Sequence, residues 1–343
     1  MWVWSSSLWL ARDTVLGVRS LNSWPGSKSF SMNGCNRWRA TGLALAMLAL
    51  TLVARAQELA EKQLIRGLVY ARVDELELKL DLHLPVKRDG PPLPVVLWFH
   101  AGGMMEGGRG FCPIANLAKE GFAVASVSYR LSGQAKFPAQ IEDSKAAVRW
   151  LRAHAEEYHF DAAHIGACGE SAGGMLASLL GVTGDMPHLE GSVGGNLEFS
   201  SRVQAVVGLC VPTDLTEMLT KRSERSFWAK LFTTGNFKEA KFTFARAYVM
   251  KKLFGGPLPE HADLVRMASA VTHVSTDDPP FLLFHGRKDP LVPLVQGQGL
   301  QRALSQAGVE SRLIVVETSV HGFGRFPPEM MAETRAFFNR HLR

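Results

Sequence analysis

Short apolar runs alternating with helical patterns constrain this chain more than any other feature. "PVVLWFH", "FAVASVSYR", "HIGACG", "VQAVVGLC", "FLLFH" and "RLIVVE" are each continuous enough to be strands buried on both faces. Between them lie segments of helical period. In the helix opened by Pro138, Ile141, Val148, Leu151 and Ala155 share one face. Such alternation predicts a parallel sheet covered on both sides by helices, an α/β architecture with one domain after residue 56. Leu76, Leu78, Leu80, Leu82 and Leu84 alternate with polar residues instead and predict a half-exposed antiparallel strand. In such sheets ligands bind beyond the carboxyl ends of the strands. The chemistry should therefore follow the strands.

One strand end carries "GESAGG", Gly169 to Gly174. Because "HIGACG" precedes it and "AGGMLASLLG" continues as a helix, Ser171 falls on the strand-to-helix turn that a nucleophile elbow requires. Gly169 and Gly173 fit the close crossing of strand and helix. The amide of Ala172, at the helix start, is placed to stabilise negative charge. "HAGG", His100 to Gly103, follows the strand "PVVLWF" and matches a loop whose backbone amides receive an acyl oxyanion. Gly102 and Gly103 are its expected donors, with His100 ordering the loop. Asp289 stands in the Gly-x-x-Asp-Pro turn that closes "FLLFHGRKDP", and His321 in "VHGF" beyond "RLIVVE". The order Ser171, Asp289, His321 is that of an α/β hydrolase triad. In that scheme His321 takes the serine proton and returns it to the leaving group, while Asp289 fixes the imidazole tautomer. Asp214, in "VPTDL", is the rival acid; Asp277 and Asp278 read as a polar turn.

Other chemistries find little support. The chain contains no H-E-x-x-H and no paired C-x-x-C, so neither a metal nor any other cofactor is expected. Cys112, Cys168 and Cys210 are too few and too irregular for a disulfide framework, and the last two sit in apolar runs as filler. A net charge of +6 suggests an acidic partner until it is mapped. Residues 1–56 hold Arg12, Arg19, Lys28, Arg37, Arg39 and Arg55 against Asp13 alone, which leaves the remainder within one charge of neutral. No nucleic-acid footprint survives.

Those first residues read as an address. Arg37 and Arg39 precede the apolar run Gly42–Val53, and Ala54-Arg55-Ala56 is a cleavage pattern. The run is shorter than the roughly 20 residues that span a bilayer, so export without a stable membrane anchor is expected, to a secreted or periplasmic location. Translation is expected to start at Met32 and cleavage to follow Ala56. Residues 57–343 then form the hydrolase domain.

From about Leu64 onward the chain resembles serine-dependent α/β hydrolases of the esterase and lipase superfamily. More narrowly it resembles secreted feruloyl and acetyl xylan esterases. That likeness is carried by "SYRLSGQAKFPAQIEDSKAAVRWLRAHA", "GNLEFSSRVQAVVGLCVPTDL", "ASAVTHVSTDDPPFLLFHG" and "KDPLVPL". It implies a carboxylesterase acting on short acyl or feruloyl esters, whether small molecules or linked to polysaccharide. Departures fall around the acyl pocket: Ala101 replaces a glycine, Met104 a frequent tryptophan and Met175 a frequent histidine. Residues 183–202 and a helical insertion at about 214–257, rich in Phe, Trp and Met, are expected to frame the substrate, the second as a lid. A serine peptidase or amidase of the same fold, and a non-catalytic binding protein, are the alternative functions. Peptidases of this kind often carry a propeller or cap domain, for which the span after residue 56 leaves no room.

Overall fold

A computed structural model describes residues 62–343 except 88, 185, 220–236, 257 and 325, with the side chains of 62, 219, 237–244, 258 and 259 also excepted. The expected leader, its start at Met32 and its cleavage after Ala56, lies outside the described residues. So do Phe227, Trp228, Leu231 and Phe232 of the insertion.

Eight strands form one sheet: β1 (Lys62–Val73), β2 (Leu76–Pro85), β3 (Leu93–Phe99), β4 (Ala123–Val127), β5 (Phe160–Glu170), β6 (Ala205–Leu209), β7 (Phe281–Gly286) and β8 (Ser311–Val316). Their spatial order is β1-β2-β4-β3-β5-β6-β7-β8. β2 is antiparallel to both its neighbours, and all pairs from β4 to β8 are parallel. Every residue of β3, β4, β6 and β7 is buried, because helices cover both faces of a parallel sheet. Alternation along β3 divides that core. Val95, Leu97 and Phe99 join Ile141 and Leu151 of α1 (Ala139–Ala153), Leu176 of α2 (Ala172–Val182), Leu253 of α3 (Phe237–Phe254) and Leu300 of α4 (Val295–Gln306). Val96 and Trp98 join Phe338 of α5 (Pro328–His341) and Leu117 on the other face. Among the described residues, no helix is long and apolar enough to cross a membrane.

Two local expectations change. Ala155 lies beyond α1, in a separate turn after His154, though it still packs against the core. The described residues of 183–202 are fastened to α1, and none of them lines the cleft described below. Lys145 and Arg149, both buried on α1, reach the Thr183 carbonyl, the Val193 carbonyl and the Glu190 carboxylate. Two cations in the interior need such partners, and the acidic loop supplies them.

The sheet order positions the site. From β3 the chain steps to β4 on one side and then, through α1, to β5 on the other. Loops leaving β3 and β5 therefore diverge at their carboxyl ends and open a crevice between them. His100 begins the first loop and Ser171 the second, with Phe99 and Gly169 paired in register.

Candidate active site

Ser171 stands between β5 and α2 with φ 54° and ψ −115°, a backbone conformation that side chains rarely adopt. Two hydrogen bonds hold it there. Its amide donates to the Leu209 carbonyl of β6 at 2.8 Å, and its carbonyl accepts the Met175 amide at 3.0 Å as α2 begins. The turn throws Oγ clear of the sheet.

Gly173 sets how closely α2 crosses the sheet. A Cβ there would lie 2.0 Å from the Phe99 carbonyl oxygen and 2.6 Å from that of His100, so only glycine lets the helix pass β3. Gly173→Ala is expected to force helix and β3 apart, at a cost of about 3 kcal/mol. Thermal denaturation checks this; an unchanged Tm would contradict the account.

After β3 the backbone turns back on itself. The Gly102 carbonyl accepts the amides of Met105 and Glu106 at 3.0 and 3.2 Å, and a Cβ on Gly102, at φ 126°, would strike the Glu106 carbonyl at 2.1 Å. His100 braces the loop from below. Its Nδ1–H donates to the Ala101 carbonyl at 2.7 Å, its ring stacks on Tyr129 at 4.3 Å, and the Tyr129 hydroxyl donates to the His100 carbonyl at 2.8 Å. Burial lowers the His100 pKa, which keeps the ring neutral.

The three residues expected to form a triad converge from three loops. Ser171 Oγ is 2.9 Å from His321 Nε2, and His321 Nδ1 is 2.7 Å from Asp289 Oδ2. Asp289 Oδ1 accepts the amides of Leu291 and Val292 at 2.9 and 2.8 Å. Burial works to raise the Asp289 pKa; the His321 hydrogen bond and charge and the two amides outweigh it, so the carboxyl titrates below its usual range. Asp214 lies elsewhere. Its Oδ1 accepts the Glu217 amide at 2.9 Å, capping the turn Leu215–Leu219.

Gly102, Gly103 and Ala172 border the same cleft as Ser171 and His321, so the expected oxyanion donors and nucleophile share one space. That cleft has a volume of about 300 Å³. Met104, Met105, Met175 and Met218 line it with Ala245, Val249, Met250 and Leu253 from the second half of α3, and Arg246 brings a guanidinium to the same wall.

Sequence reasoning overlooked Glu170. Its Oε1 accepts the Phe323 amide at 2.6 Å, two residues past His321, so the side chain before the nucleophile grips the histidine loop. Burial raises its pKa, against the pull of that amide and of His321. The signal was an acid at the variable position of "GESAGG", flanked by residues that had to be buried.

Cys210, Asp289 and His321 bring three potential ligand atoms within 4.8 Å of one another. As metal donors they fit poorly. Asp289 and His321 already hydrogen-bond each other, and burial pushes the Cys210 thiol up to about 12, leaving it protonated. With a proton acceptor hydrogen-bonded to a hydroxyl at the wall of a largely apolar cleft, the arrangement can perform acyl transfer.

Residues 80–304 match the BD-FAE family. The chain belongs to that family. Among its relatives is the carboxylesterase NlhH of Mycobacterium tuberculosis, 30% identical over 71% of this chain and 69% of that one. Esterase LipC of the same organism is 28% identical over 65% of this chain and 52% of its own length. This BD-FAE chain thus spans about half the length of several curated relatives. A solved structure of a truncated carbohydrate esterase from gut microbiota has a TM-score of 0.67 and 28% identity, covering 82% of this chain and 96% of that one. Together with the sheet order, these likenesses give the BD-FAE chain an α/β hydrolase fold, as its strand pattern and resemblance implied.

Proposed function

We propose that this protein is a serine carboxylic-ester hydrolase working through an acyl-enzyme, with Ser171 as nucleophile, His321 as general base and acid, and Asp289 as the orienting carboxylate. The observation that carries this reading is the unbroken chain of contacts Ser171–His321–Asp289, at 2.9 and 2.7 Å, opening into the cleft bordered by Gly102, Gly103 and Ala172. As Oγ attacks the ester carbonyl, His321 Nε2 takes its proton. Charge developing on the carbonyl oxygen falls among the amides of Gly102, Gly103 and Ala172. His321⁺ returns the proton to the departing alcohol; in the second step it draws one from the attacking water and hands it to Ser171 Oγ as the acyl–oxygen bond breaks and the acid leaves.

Its substrates are short acyl or aromatic acyl esters of plant polysaccharides, met outside the cytoplasm after export through the N-terminal leader. Three things support this: the carbohydrate esterase among the structural neighbours, the sequence pattern of the leader, and the cleft's size. Methionine walls adapt to an acetyl or a flat aromatic acyl group. The second half of α3 roofs the acyl site in the manner of a lid.

The test is kcat/KM on acetylated xylan, methyl ferulate and nitrophenyl esters of increasing chain length, beside a dipeptide amide. Preference for acetyl or feruloyl esters is expected. A maximum on long acyl chains would make the protein a lipase, and cleavage of the amide alone a peptidase.

A further inference from the structure

The carboxyl end of β6 touches every member of the triad. The Leu209 carbonyl accepts the Ser171 amide, and the next residue, Cys210, donates its own amide to Phe284 of β7 at 2.8 Å. Cys210 is fully buried and has φ 49°, a left-handed conformation in which a residue other than glycine is held only by its surroundings. That turn carries Sγ to within 4.8 Å of both an Asp289 carboxylate oxygen and a His321 ring nitrogen. The backbone amides of Gly286 and Gly322 approach the same sulfur. Gly286 ends the strand before Asp289, and Gly322 follows His321. One thiol therefore sits at the junction of the two loops that carry acid and base.

We propose that Cys210 is a positioning residue for the Asp289–His321 pair. Its sulfur fixes the spacing of the two loops, while its weak donor faces the carboxylate and leaves nearly all of that charge for the imidazole. Cys168, equally buried, sits in β5 among the apolar residues of the other sheet face and has no such place. The proposal rests on the hydrolytic reading above.

The titration of His321 reads it out. Charged or titratable groups facing that ring come from each neighbouring element: Glu170 from β5, Cys210 from β6, His285 from β7 and Asp289 from the loop beyond. A serine at 210 places a stronger donor on the carboxylate, drains its charge and disfavours the imidazolium. Cys210→Ser should thus lower the His321 midpoint by about half a pH unit, roughly threefold in the protonation constant. Cys210→Ala removes the donor, leaves more charge facing the ring and should raise the midpoint.

Ring resonances followed by NMR, assigned by comparison with His321→Gln, give these midpoints without requiring turnover. The acid limb of the kcat/KM profile for ester hydrolysis should move with them. Opposite shifts in the two variants support the proposal; no shift, or shifts of one sign, overturn it. If one variant does not fold, the sign in the other decides. A parent protein inactive on every ester would overturn the hydrolytic reading instead, and the ring titration separates that failure from this one.

Discussion

Ser171→Ala is expected to lower kcat/KM for ester hydrolysis by at least ~10⁴-fold while leaving the protein folded, because triad members act as a unit and removing one forfeits what the others contribute. The fold should tolerate the change. Ser171 is held in its turn by backbone bonds to Leu209 and Met175, which alanine keeps, and its Oγ has its hydrogen bond with His321. Residual activity would come from the amides of Gly102, Gly103 and Ala172 acting on bound ester. Purified variant and parent should be compared on a nitrophenyl ester, with Tm measured beside it. A variant within tenfold of the parent would remove Ser171 from the mechanism, and a collapse in Tm would turn the lost activity into a folding effect.

The sheet was legible wherever strands are buried on both faces, because burial leaves a continuous apolar run; β3 to β7 all announce themselves this way. β1 does not. "KQLIRGLVYARV" pairs with β2 alone at the sheet edge, and its register is interrupted between Ile65 and Leu68 and again between Val69 and Ala71. Each interruption breaks the two-residue period by which a half-exposed strand is recognised. The site residues could be singled out because each sits in a strand-end turn with its own signature, and the structure brings Ser171, Asp289 and His321 within hydrogen-bonding distance. What stayed hidden depends on partners distant in sequence. Glu170 meets Phe323, Lys145 meets Glu190, and Cys210 meets two loops, and nothing local to any of these residues names the other. The acidic loop 183–202 looked like a substrate frame for the same reason. Its carboxylate is taken up by α1, a helix whose buried cations cannot be told from exposed ones by sequence.

Asp289→Asn should be nearly as damaging as loss of the nucleophile, about 10⁴-fold in kcat, and the reason is a matter of hydrogen-bond polarity. Oδ1 of Asp289 already receives two backbone amides, from Leu291 and Val292, so an asparagine must keep its carbonyl oxygen there. Its NH2 group is then forced into the Oδ2 position, 2.7 Å from His321 Nδ1. A donor facing Nδ1 demands an acceptor, which moves the imidazole proton to Nε2. That nitrogen faces Ser171 Oγ at 2.9 Å and can no longer accept the serine proton. Asp214→Asn supplies the control. Asp214 caps a helical turn through the Glu217 amide, a role asparagine fills as well, so kcat should stay within about twofold. Steady-state kinetics on the two variants, at a substrate concentration well above KM, makes the comparison directly. The reverse order, with Asp214→Asn severe and Asp289→Asn mild, would transfer the acid to the loop after β6 and leave the 2.7 Å contact with His321 without a catalytic part.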